Sequence, residues 1–368
     1  MIEKEITLLG CGDVGPMHGD MEPYSMLVRP VLATGDIRFA QCERLYSLRG
    51  SRQVSAPDGG RGTPDMARIF TDCGFNVVSL ASNLALDWGE DALLDTIDLL
   101  RDKGIQVIGA GRNLNEARKP AVIEKDGVRV AILAYCSVPK EGYSAGPNKI
   151  GVAPMRAHTS YEQVEYQAGM PPRIVTVPDS EDLARMVEDI ADAKKTAHAV
   201  IVSLHWGIHF IPRIIADYQP LVAKAAYAAG ADLILGHHAH VPKAIATYGG
   251  KVCFYSLSNF IFSSAVSGLT PERIELFAQR YGVTLDPEFP NFPLGNDARR
   301  SLIAKAVISR AGIRKVSFLP ALIDKQIRPE VLLRNDPRFD DAVNFMKWVS
   351  EGFDPTFMIE GTEVIVSG

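Results

Sequence analysis

Four of the eight histidines of this 368-residue chain, His205, His237, His238 and His240, lie close together, three of them in the run Gly236-His237-His238-Ala239-His240. Imidazoles presented together are a metal-site chemistry. Alone, His205 reads more readily as a hydrogen-bonded structural residue than as a ligand. The His-x-His pair is more telling, because alternate residues of an extended segment point the same way. His238 and His240 can therefore reach one ion or two neighbouring ions. His237 then faces away and reads as a structural group or a residue supporting the ligands, as does His209.

Positioning these side chains requires a sheet. Ala199-Val-Ile-Val-Ser-Leu204 precedes His205, and Ala231-Asp-Leu-Ile-Leu235 precedes the histidine run; both are short apolar runs of buried-strand type. Between them, residues 218–229 carry helical apolar spacing, and Gly230 is the stop signal. Strand, helix and strand in that order give a parallel pair and bring both histidine groups to carboxyl ends of adjacent strands, where open α/β sheets place ligands.

The same logic extends upstream. Residues 6–9 form a first strand that empties into a glycine-rich turn, Gly10-Cys11-Gly12-Asp13-Val14-Gly15, carrying one carboxylate. Residues 37–40 form a second, ending in Gln41-Cys42-Glu43-Arg44, and residues 76–80 a third, delivering Ser82-Asn83-Leu84. Five strands thus end in Asp13, Glu43, Asn83, His205 and the pair His238 with His240. Carboxylates, an amide oxygen and imidazoles without a thiolate suit one or two divalent ions such as Mn, Fe or Zn, two of which can share a bridging carboxylate. The loop 48–62 adds Arg49, Arg52 and Arg61, either a solvated face or a holder of an anionic substrate.

Elsewhere the chain reads as architecture. Helices are expected over 64–73, 90–103, 181–195 and 340–350, a hairpin turns at Asp126-Gly127, and a final strand covers 363–367. The irregular stretch 139–172, rich in Gly, Pro and Tyr, is a candidate cover for the site. The glycines lack Gly-x-Gly-x-x-Gly spacing, so no dinucleotide fingerprint is present.

Composition narrows the function classes. A 46% apolar fraction fits a globular protein with a sizeable core. A net charge of -5 from 39 basic and 44 acidic residues offers no surface for nucleic acid or anionic membrane. No apolar run reaches the roughly 18 residues that span a bilayer, and the opening residues lack the pattern of a signal peptide. The expectation is a cytoplasmic protein with five reduced, dispersed cysteines, acting on a small-molecule or peptide substrate, its oligomeric state open.

The residues also resemble a known family. Gly12-Asp13, Asn83-Leu84-Ala85-Leu86-Asp87-Trp88-Gly89, Ser203-Leu204-His205-Trp206-Gly207, Gly236-His237-His238-Ala239-His240-Val241 and Phe254-Tyr255-Ser256-Leu257-Ser258-Asn259-Phe260 are similar to the CapA group of bacterial capsule and poly-γ-glutamate synthesis proteins, within the calcineurin-like metallophosphoesterase superfamily. The resemblance implies a four-layer α/β/β/α sandwich of two mixed sheets over residues 1–325, with 326–368 as a C-terminal helix and strand packed on it. It implies Asp13, Glu43, Asn83, His205, His238 and His240 as metal ligands, Glu43 as the bridge. The chain departs from the family at three points. Leu84 stands where the family has a histidine that protonates leaving groups, Gln41-Cys42 precedes Glu43, and Gly15 stands where the wider fold has a histidine.

Three functions follow as expectations. The first is a metal-dependent hydrolase of a phosphoester or amide bond in an anionic or peptide-like substrate, with His205, Arg44 and Arg49 in catalytic roles. The second is a metal-dependent peptide epimerase, which needs no leaving-group acid. The third is a non-catalytic accessory protein of polymer synthesis.

Overall fold

The computed structural model describes residues 4–56, 59–263, 270–286, 288–289 and 294–368. Its first sheet is centred on Ile6–Gly15. On one side follow Ile37–Cys42, Val77–Ser79 and Gln106–Ile108, all parallel, and on the other Arg300–Ser309, Gly312–Ile323, Glu363–Ser367 and Thr356–Glu360, antiparallel. Asn259–Phe262 pairs in parallel with the far end of Ile6–Gly15. The second sheet has a parallel centre, Val128–Cys136, Ala199–His205, Leu233–His237 and Lys251–Phe254, flanked by antiparallel Ala121–Lys125 and Ile245–Tyr248.

Four layers result, as anticipated. Leu8, Phe39 and Val77 of the first sheet share one buried apolar layer with Val130, Ile132, Ile201, Leu233 and Leu235 of the second. The approach is close enough that a Cβ on Gly10 would lie 2.8 Å from Leu235 Cδ1. Alternation along the second sheet's strands sends Leu133, Val200, Val202 and Ile234 to its other face. There they meet Met186 and Ile190 of helix Ser180–Lys194 and Val222, Ala223 and Ala226 of helix Tyr218–Ala229. Helices Gly89–Asp102 and Pro337–Val349 pack on the first sheet. The helix 218–229 stops at Gly230 in the left-handed region, φ 117°. Asp126 and Gly127 both take positive φ, the demand of a tight hairpin turn.

Several local expectations change. Residues 10–15 are not a turn: the strand continues through them with a register shift between Gly10 and Asp13. Glycine richness signals turns locally, but here it serves a long-range pairing. Asp13 N donates to Ser258 O at 2.9 Å, and any side chain on Gly12 would overlap that same carbonyl. His238 and His240 do not alternate along a strand either; the strand ends at His237, and both residues adopt positive φ, 86° and 57°. The stretch 139–172 is partly regular, since Ala157–Glu162 pairs with Arg173–Pro178 as a solvent-facing ribbon. The C-terminal segment holds strands Pro329–Val331 and Thr356–Glu360 besides the expected helix and strand.

Candidate metal centre

The carboxyl ends of both sheets' parallel strands converge between the layers. From the first sheet come Asp13 within its strand, Glu43 just after Cys42, and Asn83 in the turn after Val77–Ser79. From the second come His205 and His237, side by side in register at the ends of parallel strands, with His238 and His240 just beyond. Asp13, Glu43 and His240 present ligand atoms that all lie within 4.8 Å of one another, and all three are buried. Around His205 Nε2 gather Asn83 Oδ1 at 2.8 Å, His238 Nδ1 at 3.1 Å and Glu43 Oε1 at 3.6 Å. All six residues expected as ligands are thus brought together, with Glu43 between the Asp13/His240 group and the Asn83/His205/His238 group.

These atoms are poorly satisfied by the protein alone. Both Asp13 oxygens, Glu43 Oε1, His205 Nδ1 and both nitrogens of His237 are buried without a hydrogen-bond partner. Isolated buried charges of that kind are costly. Burial pushes the Asp13 carboxyl up to about 8 against smaller lowering by the His238 amide and Arg44. Burial, and then the charge of Asp13, raises Glu43 well above the carboxylate range. Burial also holds His205 and His238 far below the usual imidazole value and His237 and His240 at about 3, so the rings are neutral, the form that ligates. Two carboxylates facing one another and neutral imidazoles with nitrogens converging on shared space fit a divalent cation of the borderline class.

Arg44 lies against the same group. Its side chain is buried, stacks on Phe262 with the guanidinium 4.7 Å from the ring centroid, and donates through Nη1 to Glu43 O at 3.1 Å. Among the described residues no carboxylate forms an ion pair with it, and its Nε lacks a partner. Arg49 is placed differently. It is 59% exposed and pairs with Asp91 and Asp95 of the helix 89–102, and Arg61 covers the Trp88 ring, so two arginines of the loop 48–62 brace that helix. Lys140, from the start of the irregular stretch, pairs with Asp87 at 2.5 Å, where Tyr143 also donates at 3.0 Å.

Sequence reasoning turned His237 the wrong way and missed two contributors, Ser82 and Asn259. His237 does not turn away: its Nδ1 is 3.3 Å from Asp13 Oδ1, and its ring lies tilted beside Phe39. The clue was available, because register partners on adjacent strands face the same side as His205. His209 covers the histidine group, its ring 3.9 Å from that of His238 and 5.3 Å from that of His240. Ser82 Oγ donates to Glu43 Oε2 at 2.8 Å, and Asn259 meets His240. No local signal marks these last two.

Residues 9–264 match the family described as bacterial capsule synthesis protein PGA_cap. The chain belongs to this family. Among curated relatives, it is 33% identical over 199 residues to the PGA biosynthesis protein CapA of Bacillus subtilis, covering 54% of this chain and 45% of that one. It is 31% identical over 239 residues to the capsule biosynthesis protein CapA of Bacillus anthracis, covering 64% and 52%. The chain therefore spans about half the length of these relatives. Among solved structures, the calcineurin-like phosphoesterase YfkN of Bacillus subtilis aligns over 95% of this chain and 100% of that one, with 13% identity and a TM-score of 0.44. A putative 5'-nucleotidase from Staphylococcus aureus aligns over 94% and 59%, with 10% identity and a TM-score of 0.45. No helix among the described residues is long and apolar enough to cross a membrane.

Proposed function

We propose that this PGA_cap-family protein is a metal-dependent hydrolase of a phosphoester or amide bond in a small or peptide-like substrate bearing an anionic group. The observation that carries the reading is the buried, unsatisfied donor set of Asp13, Glu43, His205 and their neighbours beside Arg44, which forms no ion pair with a carboxylate among the described residues. Asp13, Glu43, Asn83, His205, His238 and His240 would hold one or two ions, which would supply Lewis acidity and lower the pKa of a water to about 7.

The chain's own groups do the rest. Ser82 orients the Glu43 carboxylate. Arg44, fixed by Phe262 and the Glu43 carbonyl, offers its remaining N–H donors to a phosphate or carboxylate and stabilises negative charge that develops there. Burial between the sheets excludes water and strengthens each of these interactions.

Leu84 favours a second reading. Its half-buried apolar side chain provides no proton for a leaving group, whereas epimerisation at a peptide Cα has no leaving group to protonate. The deciding experiment incubates metal-loaded protein with alkyl and nitrophenyl phosphodiesters and with γ- and α-linked glutamyl peptides, in ordinary and in deuterated water. Hydrolysis of nitrophenyl esters or peptides that ends on removal of metal supports the first reading. Deuterium at Cα without cleavage supports the second. A general acid is typically worth about 10²–10⁴-fold, so Leu84→His is expected to raise alkyl diester turnover. Vigorous wild-type turnover of an alkyl diester would show that another residue supplies the proton. Inertness of the metal-loaded protein on every member of the panel would count against both and leave the accessory role.

A further inference from the structure

The orientation of one side-chain amide decides which nitrogen of His240 is free. Asn259 begins the short strand Asn259–Phe262 that pairs with the end of the Asp13 strand, and it is fully buried. Its Nδ2 donates to two backbone carbonyls, His240 O at 3.0 Å and Ala298 O at 3.1 Å. Reversing the amide would set its oxygen against both carbonyls, so those two bonds fix the orientation. The Oδ1 atom is then held 2.8 Å from His240 Nδ1. An amide oxygen only accepts, so Nδ1 must carry the hydrogen. Asp13 Oδ2 lies 3.4 Å from the same nitrogen but accepts no hydrogen bond from it. A neutral imidazole has one N–H, so Nε2 is the bare nitrogen.

We infer that Asn259 is a positioning residue that locks His240 in the Nδ1–H tautomer and so presents Nε2 as the ligand atom of the candidate metal centre. The left-handed backbone of His240, φ 57°, belongs to the same device. The conformation aims the His240 carbonyl at Asn259 Nδ2 while its ring meets Asn259 Oδ1, so one side chain clamps both ends of the residue. Outer hydrogen bonds of this kind commonly tune metal affinity by about 10–100-fold.

The inference rests on the metal reading above, and its test separates the two. Protein labelled with nitrogen-15 in histidine is stripped of metal, and long-range proton–nitrogen spectra at neutral pH report the tautomer of His240, assigned by comparison with His240→Ala. Zinc is then added as a diamagnetic probe and its dissociation constant is measured for wild type, Asn259→Asp and Asn259→Leu. We expect the Nδ1–H form in the metal-free wild type and zinc on Nε2. The Asp variant, fully buried at this position and so held as the neutral acid, keeps an acceptor for Nδ1–H and turns its O–H to the carbonyls that Nδ2 served; it should retain the tautomer and bind zinc within about tenfold of wild type. The Leu variant should mix tautomers and bind about 10–100-fold more weakly. A proton on Nε2 in the wild type, or zinc on Nδ1, overturns the inference without reference to any variant. Equal weakening in both variants with an unchanged tautomer also overturns it, because the role would then be packing alone. Failure of the wild type to bind zinc while His240 stays Nδ1–H would contradict the metal reading and leave the tautomer lock standing.

Discussion

The two sheets supply the centre with different chemistry on different backbone. The first contributes oxygens, from Asp13, Glu43 and Asn83, at or just beyond the ends of parallel strands. The second contributes imidazoles, two in strand register and two on a segment that takes positive φ at His238 and His240. The oxygen side is placed by regular pairing; the histidine side needs left-handed backbone that non-glycine residues rarely adopt. The contrast teaches where rigidity originates. Close backbone approach fixes the carboxylates, while a clamp from Asn259 fixes the outermost histidine.

The largest expected effects come from breaking either backbone approach. Gly12→Ala would drive a methyl into the Ser258 carbonyl, and Gly236→Ala into that of Tyr255. Neither neighbour is a flexible side chain, so each substitution should cost about 3 kcal/mol or more. Thermal unfolding should show a lower midpoint for both. A normal midpoint in either variant would mean that its sheet does not need the close approach.

Next is Arg44. Exchange of its guanidinium for a neutral amide in Arg44→Gln should weaken inhibition by inorganic phosphate by about tenfold or more, the worth of a charged hydrogen bond. Unchanged inhibition would remove Arg44 from the anion site.

Asp13 sharpens the comparison through pH. In metal-free protein its folded pKa is raised to about 8 by burial, so the fold favours the neutral acid. That contribution is fully present below about pH 4, the unfolded value, and is lost as pH rises through about 8. Asp13→Asn removes the loss. The metal-free variant should therefore gain stability over wild type between those limits, on the order of a few kcal/mol, while losing metal. Denaturant titration at several pH values would reveal the trend; a constant difference across the range would deny it. The histidines behave oppositely, since folded values depressed by burial take stability away as pH falls from about 6.5.

The smallest effect is expected at Arg49. Its pairs with Asp91 and Asp95 are at the surface, so Arg49→Lys should leave the thermal midpoint close to that of wild type and leave phosphate inhibition as it is. Loss of inhibition there would return the loop 48–62 to the substrate.

Much of this was legible in the chain. Alternation of apolar runs with ligand-type residues located Asp13, Glu43, Asn83 and His205, because a strand's carboxyl end is where such residues point. The clustering of His238 and His240 was equally visible, although the strand alternation first invoked for them does not hold. What stayed hidden depends on contacts distant in sequence. Gly10–Gly15 reads as a turn until Ser258 pairs with it, and Asn259 has no meaning until His240 and Ala298 bracket it. Arg44 and Arg49 look alike in sequence. Only packing buries one beside the carboxylates and leaves the other on a helix surface.

The central claim is that both sheets hold one metal centre, and elemental analysis tests it most directly. Wild type, Asp13→Ala and His238→Ala are purified, exposed to Mn, Fe or Zn, freed of excess ion and analysed, with circular dichroism confirming the fold. One or two ions per wild-type chain, and a loss in each variant, one from each sheet, is the predicted result. Full occupancy in both folded variants, or no ion in the wild type, would contradict it.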